Sequence, residues 1–365
     1  MSLQIGIVGL PNVGKSTLFN AMTRAQAAVA SYPFTTIEPN LGVAAVSDPR
    51  LERLAELVQP EHTVPATVEF VDIAGLVKGA SQGAGLGNQF LGHIRNVDAM
   101  AMVVRAFTDP DVPHVTTELN PLDDIETVEL ELILADLATV VRRLESVRAK
   151  AKAQPREYQT ELDLLERLRS HLDGSHKARE MVLADREAHL LQPLNLLTAK
   201  PCLYVLNVGE EDLPDGGPWA AAVAQRAAAE GAEAVVICAE LEAELAAWPQ
   251  EEAGAYRAEL GLAEPGLDRL IAAGYRLLDL ITFFTVTGKK ETRAWPLARG
   301  RTAWYAAGLI HTDMQRGFIR AEVIPWSTLL EAGGMVAARE AGLVRLEGRE
   351  YVVQDGDVIH IRFSH

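Results

Sequence analysis

Residues 9–16 read Gly-Leu-Pro-Asn-Val-Gly-Lys-Ser, a set suited to holding a polyphosphate. The glycines let backbone approach an anion closely, successive N–H groups and a helix start supply donors, and Lys15 places a compact charge near the β and γ oxygens. Asn12, Val13, Gly14, Lys15, Ser16 and Thr17 are the expected phosphate contacts, with the Ser16 hydroxyl turned to Mg²⁺. Lys15 is also the first candidate for a catalytic role, because charge develops on those oxygens during transfer. Asp72 closes the apolar run Val-Glu-Phe-Val-Asp and is followed by Ile-Ala-Gly75. A carboxylate at the end of a strand lies where α/β sheets bind ligands, so Asp72 is expected to hold magnesium through a water, with Gly75 beside the nucleotide. Between these elements, YPFTTIEPN offers Thr35 and Thr36 to close over the metal and the γ-phosphate, Thr36 as the metal ligand.

Such residues need a sheet to carry them. To about residue 127 the chain alternates β-rich runs (LQIGIVGL, VEFVDIAG, AMAMVVRAF) with helical stretches, the rhythm of a parallel sheet with crossover helices. Two more β-like runs, PCLYVLNV and AEAVVICAE, come after a long interruption and read as the last strands of that sheet. The first domain is therefore expected to be discontinuous, over 1–127 and 199–281. The interruption, 128–198, has apolar residues at helical spacing on both sides of a Gln154-Pro155 break, which predicts a helical hairpin. It gathers Arg142, Arg143, Arg148, Lys150, Lys152, Arg156, Arg167, Arg169, Lys177 and Arg179. That basic arm fits either a solvated coiled-coil face or a surface for RNA. From 282 to 365, short β-prone runs surround one helix-like segment, a small separate α+β module.

Composition narrows the classes. The chain has 365 residues, 48% hydrophobic and 23% charged, which suits two or three folded domains. No apolar run approaches the length of a bilayer span, and the N-terminus lacks the pattern of a signal peptide, so a cytoplasmic protein without membrane contact is expected. Cys202 and Cys238, both within apolar runs, read as buried free thiols. A formal charge of −16 argues against a surface that binds nucleic acid all over, and no DNA partner is expected.

The motifs GLPNVGKST, YPFTTIEPN, DIAGLVKGASQGAGLGNQFL, IHTDMQRGFIRAEVI and YVVQDGDVI, in this order, resemble the YchF/Obg-like ATPase family across nearly the whole chain. The resemblance implies an α/β Ras-like P-loop domain with an inserted α-helical domain and a C-terminal β-grasp TGS domain. It also implies binding to ribosomes or their subunits, for which the arm's basic cluster offers the rRNA surface, and a preference for ATP over GTP in which Asn207 and the backbone at Val208 contact the adenine. A monomer is expected.

Two departures from an ordinary GTPase stand out. Ras-type proteins place after DxxG a Gln that orients the attacking water, whereas this chain has Leu76, which can neither donate nor accept a hydrogen bond. Intrinsic turnover should be slow, or use another group; His114 in TDPDVPHVTTELNP is a candidate, and His93 a weaker one. The glycine-rich loop after Leu76 reads as a switch segment. The second departure lies after PCLYVL, where a guanine reader has Asn-Lys-x-Asp and this chain has Asn207-Val208-Gly209-Glu210. Val208 removes the Lys stem and Glu210 shifts the carboxylate by one methylene, so guanine selectivity should be lost or weak. Cys238-Ala239-Glu240 follows the next strand, its N–H groups placed to face the base. Three functions remain open: a slow Mg²⁺-dependent ATPase switch, a non-catalytic nucleotide sensor, and a GTPase with a degenerate base motif.

Overall fold

The computed structural model describes residues 3–29, 40–73, 75, 86–113 and 118–364. Its first 110 residues run β1 (Gln4–Val8), α1 (Lys15–Val29), β2 (Leu41–Ala45), α2 (Pro49–Val58), β3 (His62–Val64), β4 (Thr67–Asp72), α3 (Leu86–Asn96) and β5 (Ala99–Arg105). After a long helical segment come β6 (Cys202–Asn207) and β7 (Glu233–Ile237). Six of these strands form one sheet in the order β2-β4-β1-β5-β6-β7. β1 pairs in parallel with β4 and β5, and β5, β6 and β7 continue in parallel. Every residue of β5 and β6 is buried, the pattern of strands covered on both faces. The two late β-like runs therefore do rejoin the sheet. β2 was not legible in advance, because it is a short strand containing glycine with partial burial at alternate positions.

The insertion starts earlier than its periodicity suggested. Helix α4 (Pro121–Ala151) is capped by Asn120, whose side-chain oxygen accepts from the Leu122 N–H at 3.2 Å, and its first turn carries Asp123 and Asp124. All three features favour a helix start. Helix α5 (Pro155–Asp173) opens on the proline expected to break the run, since a proline at the first helical position sacrifices no hydrogen bond. Val140, Leu144 and Val147 of α4 pack on Leu164, Leu165, Leu168 and Leu172 of α5. At the root of the arm, buried Asp136 accepts the Leu197 and Thr198 N–H groups, each at 2.8 Å, and the Thr198 hydroxyl at 2.7 Å.

Compactness divides the chain into two units, Met1–Val43 with Glu69–Gly274, and Ala44–Val68 with Tyr275–His365. This differs from the three-part division expected from the sequence: the helical arm counts with the P-loop unit, and 44–68 joins the C-terminal one. The second unit adds β8 (Leu280–Thr287), β9 (Glu291–Ala298), β10 (Phe318–Pro325), β11 (Arg345–Glu347) and β12 (Asp357–Phe363). Its sheet has the order β11-β10-β12-β8-β9-β3. β3 is the edge strand and pairs in parallel with β9, His62 opposite Glu291. Arg50 of α2 bonds Asp355 at 2.7 Å, and Arg53 lies over the Trp326 ring at 5.3 Å. These contacts span more than 200 residues of sequence, which is why 44–68 read as part of the first domain. Helices at Ala303–Ile310, Thr312–Arg316, Trp326–Ala332 and Met335–Glu340 replace the one helix expected here.

Candidate nucleotide site

The loop between β1 and α1 has a backbone that only glycine satisfies at two points. Gly9 has φ +149°, and a Cβ there would lie 2.4 Å from the Val103 carbonyl oxygen. Gly14 has φ +93°, and a Cβ there would lie 2.2 Å from Asn207 Nδ2. L-residues with a side chain avoid both conformations. Lys15 is 7% exposed, its Nζ donating to the Leu10 carbonyl at 2.6 Å and the Gly9 carbonyl at 3.2 Å. Burial brings its pKa down to about 8 against the opposing pull of Asp72. Ser16 Oγ donates to Asp72 Oδ2 at 3.1 Å, so the two expected metal ligands converge. Burial also raises the Asp72 pKa, with the Ser16 hydroxyl and Lys15 acting the other way. Gly75 closes the space beside them, since a Cβ there would stand 3.1 Å from Lys15 Nζ.

Among the described residues no three His, Cys, Asp or Glu side chains converge on a metal position. A hydroxyl beside one carboxylate suits Mg²⁺, which keeps several waters and takes further oxygens from phosphates. Ser16 and Asp72 are the described residues whose oxygens would fit such an ion. Thr35, Thr36, Leu76 and His114 lie outside the described residues. His93 is exposed on α3.

The cleft beyond the phosphate loop encloses about 810 Å³ and is lined by Phe107, Val112, Val208, Glu210, Cys238 and Ala239 among others. The expected base residues Asn207, Val208, Glu210, Cys238 and Ala239 all line it. The Asn207 side chain donates to the Val13 carbonyl at 3.0 Å and accepts from the Ala239 N–H at 2.9 Å. It ties the phosphate loop to the loop after β7. The Val208 N–H donates to the Ile237 carbonyl at 2.9 Å, which leaves only its own carbonyl from the backbone pair expected at the adenine. Glu210 accepts from the Tyr256 hydroxyl at 2.5 Å. Cys238 is buried and caps the helix Ala239–Leu245, and burial pushes its thiol pKa up.

Arg105 went unnoticed in the sequence. It ends β5 directly opposite Asn207 of β6 and is 3% exposed. Its guanidinium donates to the carbonyls of Asn12, Phe107 and Val112, and stacks 4.4 Å from the Phe107 ring centroid. The one available clue was an arginine closing an otherwise apolar strand.

Comparison with known proteins agrees with this geometry. A family model described as "50S ribosome-binding GTPase" matches residues 4–135. A second, YchF-GTPase_C, described as "Protein of unknown function (DUF933)", matches residues 280–364. The chain is 52% identical to the "Ribosome-binding ATPase YchF" of Bacillus subtilis (strain 168), with all of both chains covered. It is 48% identical to that of Escherichia coli O157:H7 over the full length of both, and 45% identical to that of Mycoplasma genitalium over 99% of each. The solved structure of the Schizosaccharomyces pombe YchF GTPase superposes with a TM-score of 0.89 at 35% identity, over 99% of this chain and 98% of that one. Matched end to end by these relatives and carrying the phosphate loop, helical insertion and C-terminal unit described above, the chain belongs to the YchF family.

Proposed function

We propose that this protein is a Mg²⁺-dependent ATPase of low intrinsic turnover that uses its nucleotide state to change its hold on ribosomes. The observation that carries the base preference is the residue set at the guanine-reading positions, where Val208 and Glu210 stand in place of Lys and Asp. Asn207 is held between Val13 and Ala239, Val208 offers no long stem, and the Glu210 carboxylate receives the Tyr256 hydroxyl. A guanine reader needs an acidic side chain free to accept two hydrogen bonds from the base edge. Ser16 and Asp72 would hold magnesium, whose bound form supplies charge neutralisation on the phosphates. Leu76 in place of a water-orienting Gln supports slow turnover.

The ribosome enters from the relatives, whose names read "Ribosome-binding ATPase". The C-terminal unit, with its mixed sheet and short helices, fits the TGS module that the family resemblance implies. No helix among the described residues is long and apolar enough to cross a membrane. The test is equilibrium binding of ATP and of GTP, each with Mg²⁺, to the purified protein. ATP is expected to bind at least tenfold more tightly; a preference for GTP would return the protein to the GTPase reading that the solved relative's title carries.

A further inference from the structure

Resting on the nucleotide-site reading above, we infer that Arg105 is a positioning residue that aims the phosphate loop, acting as a clamp between that loop and the loop over residues 107–112. The argument begins with the peptide plane. In a planar trans peptide the carbonyl and the following N–H point to opposite sides. Arg105 Nη1 holds the Asn12 carbonyl at 3.2 Å, which turns the Val13 N–H away from Arg105. Asn207 Nδ2 holds the Val13 carbonyl at 3.0 Å, which does the same for the Gly14 N–H. Two residues on the ends of adjacent parallel strands, opposite one another in register, thus fix two successive peptides of the phosphate loop.

Arg105 also reaches outward from this grip. Nη2 donates to the Val112 carbonyl at 2.9 Å and Nε to the Phe107 carbonyl at 3.2 Å, so one guanidinium closes the loop over 107–112 and fastens it to Asn12. The Asn12 side chain adds a second tie by donating to the Pro113 carbonyl at 3.1 Å. A planar fork with donors in several directions can serve three carbonyls at once, whereas a lysine ammonium on a flexible stem cannot keep that geometry. All three acceptors are backbone oxygens of the two loops around a 3%-exposed cation, so its hydrogen bonds are spent on loop geometry. Anchoring both loops accounts for the arrangement, because the donors that read phosphate must already be aimed when the anion arrives.

The test compares the wild type with Arg105→Lys and Arg105→Gln, measuring Kd for Mg²⁺-ATP and Mg²⁺-ADP and the melting temperature without nucleotide. Lys15→Ala serves as control. Both Arg105 variants are expected to lose affinity for ATP and ADP alike, tenfold or more, while still melting cooperatively, though at a lower temperature than wild type. Lysine should fail to rescue despite its charge. Wild-type affinity in Arg105→Lys would overturn the clamp, as would loss of the folded state in both variants, which would make Arg105 a folding residue. If the wild type itself bound no nucleotide, or Lys15→Ala bound it normally, the site reading would fail first. Normal binding in both Arg105 variants alongside a dead Lys15→Ala would reject the clamp alone.

Discussion

Lys15 carries its charge at a cost the sequence does not display. In the folded protein its pKa falls to about 8, chiefly through burial, while an unfolded chain would hold the proton up to the ordinary value of 10.5. The unfolded state therefore binds more protons between these values, so this residue's destabilising contribution is fully present below pH 8 and is relieved as pH rises toward 10.5. Nucleotide binding has the opposite requirement, because phosphate oxygens favour the ammonium form. With Mg²⁺ present, ATP affinity is expected to hold steady from pH 6.5 to 7.5 and to fall about tenfold per unit once the pH passes ~8.5. Calorimetry in buffers of different ionisation enthalpy should show net proton uptake on binding at pH 8.5 that is absent in Lys15→Arg. Affinity unchanged to pH 9.5 would mean that burial does not lower the Lys15 pKa in the free protein.

At the scale of elements, the helical arm is joined to the P-loop sheet by a buried ionic cluster. Lys177 contacts Glu230 at 2.6 Å, Glu129 at 3.0 Å and Glu180 at 3.2 Å. The Tyr204 hydroxyl of β6 lies 2.7 Å from both Glu129 and Glu230, with its single proton shared between them, and Arg226 meets Glu129 at 2.6 Å. Although burial opposes it, hydrogen bonds from Lys177 and Tyr204 hold the Glu230 pKa below its usual value, so its share of stability is present at neutral pH and is lost on acidification through the carboxylate range. Lys177→Met would leave two carboxylates buried with one cation fewer. Removing one partner of a buried pair costs about 3–5 kcal/mol, and the remaining arginines place this case at the low end, about 3 kcal/mol. Urea unfolding would measure it, and a loss below about 1 kcal/mol would show the cluster to be well solvated.

The phosphate loop was legible because its function is written in consecutive residues, where glycine, lysine and serine each answer a local demand. Asp72 was legible because an apolar strand points to its own end. Arg105 was not, and neither was the hold of Asn207 on the phosphate loop, since both arise from the register of neighbouring parallel strands that lie 102 residues apart in sequence. The cluster at Lys177 looks in sequence like part of a basic arm for a similar reason. Its carboxylate partners come from α4, from the end of the helix Ala220–Ala229 and from its own turn, and only packing brings them together.

For the whole molecule the question is how a chain of net charge −16 could meet a polyanion. The basic arm is less basic than its composition. Arg143 pairs with Glu161 at 2.5 Å, Arg148 with Glu166, Arg167 with Glu187 at 2.6 Å, and Lys177 and Arg179 with Glu230. Arg142, Lys150, Lys152 and Arg156 are exposed and make no ion pair among the described residues, and the last three flank the turn between α4 and α5. If ribosomal RNA is met through the arm, these unpaired cations are the ones that displace counterions, whereas the paired ones are already neutralised. Arg142→Glu, Lys150→Glu and Lys152→Glu together should weaken co-sedimentation with ribosomes, and the dependence of log K on log salt should flatten by about 2–3. Neutralising Arg148 and Arg167 should change that slope far less, while loosening the arm's own packing. Sedimentation indifferent both to the triple substitution and to salt would move the contact off the arm, leaving the C-terminal unit as the surface to test.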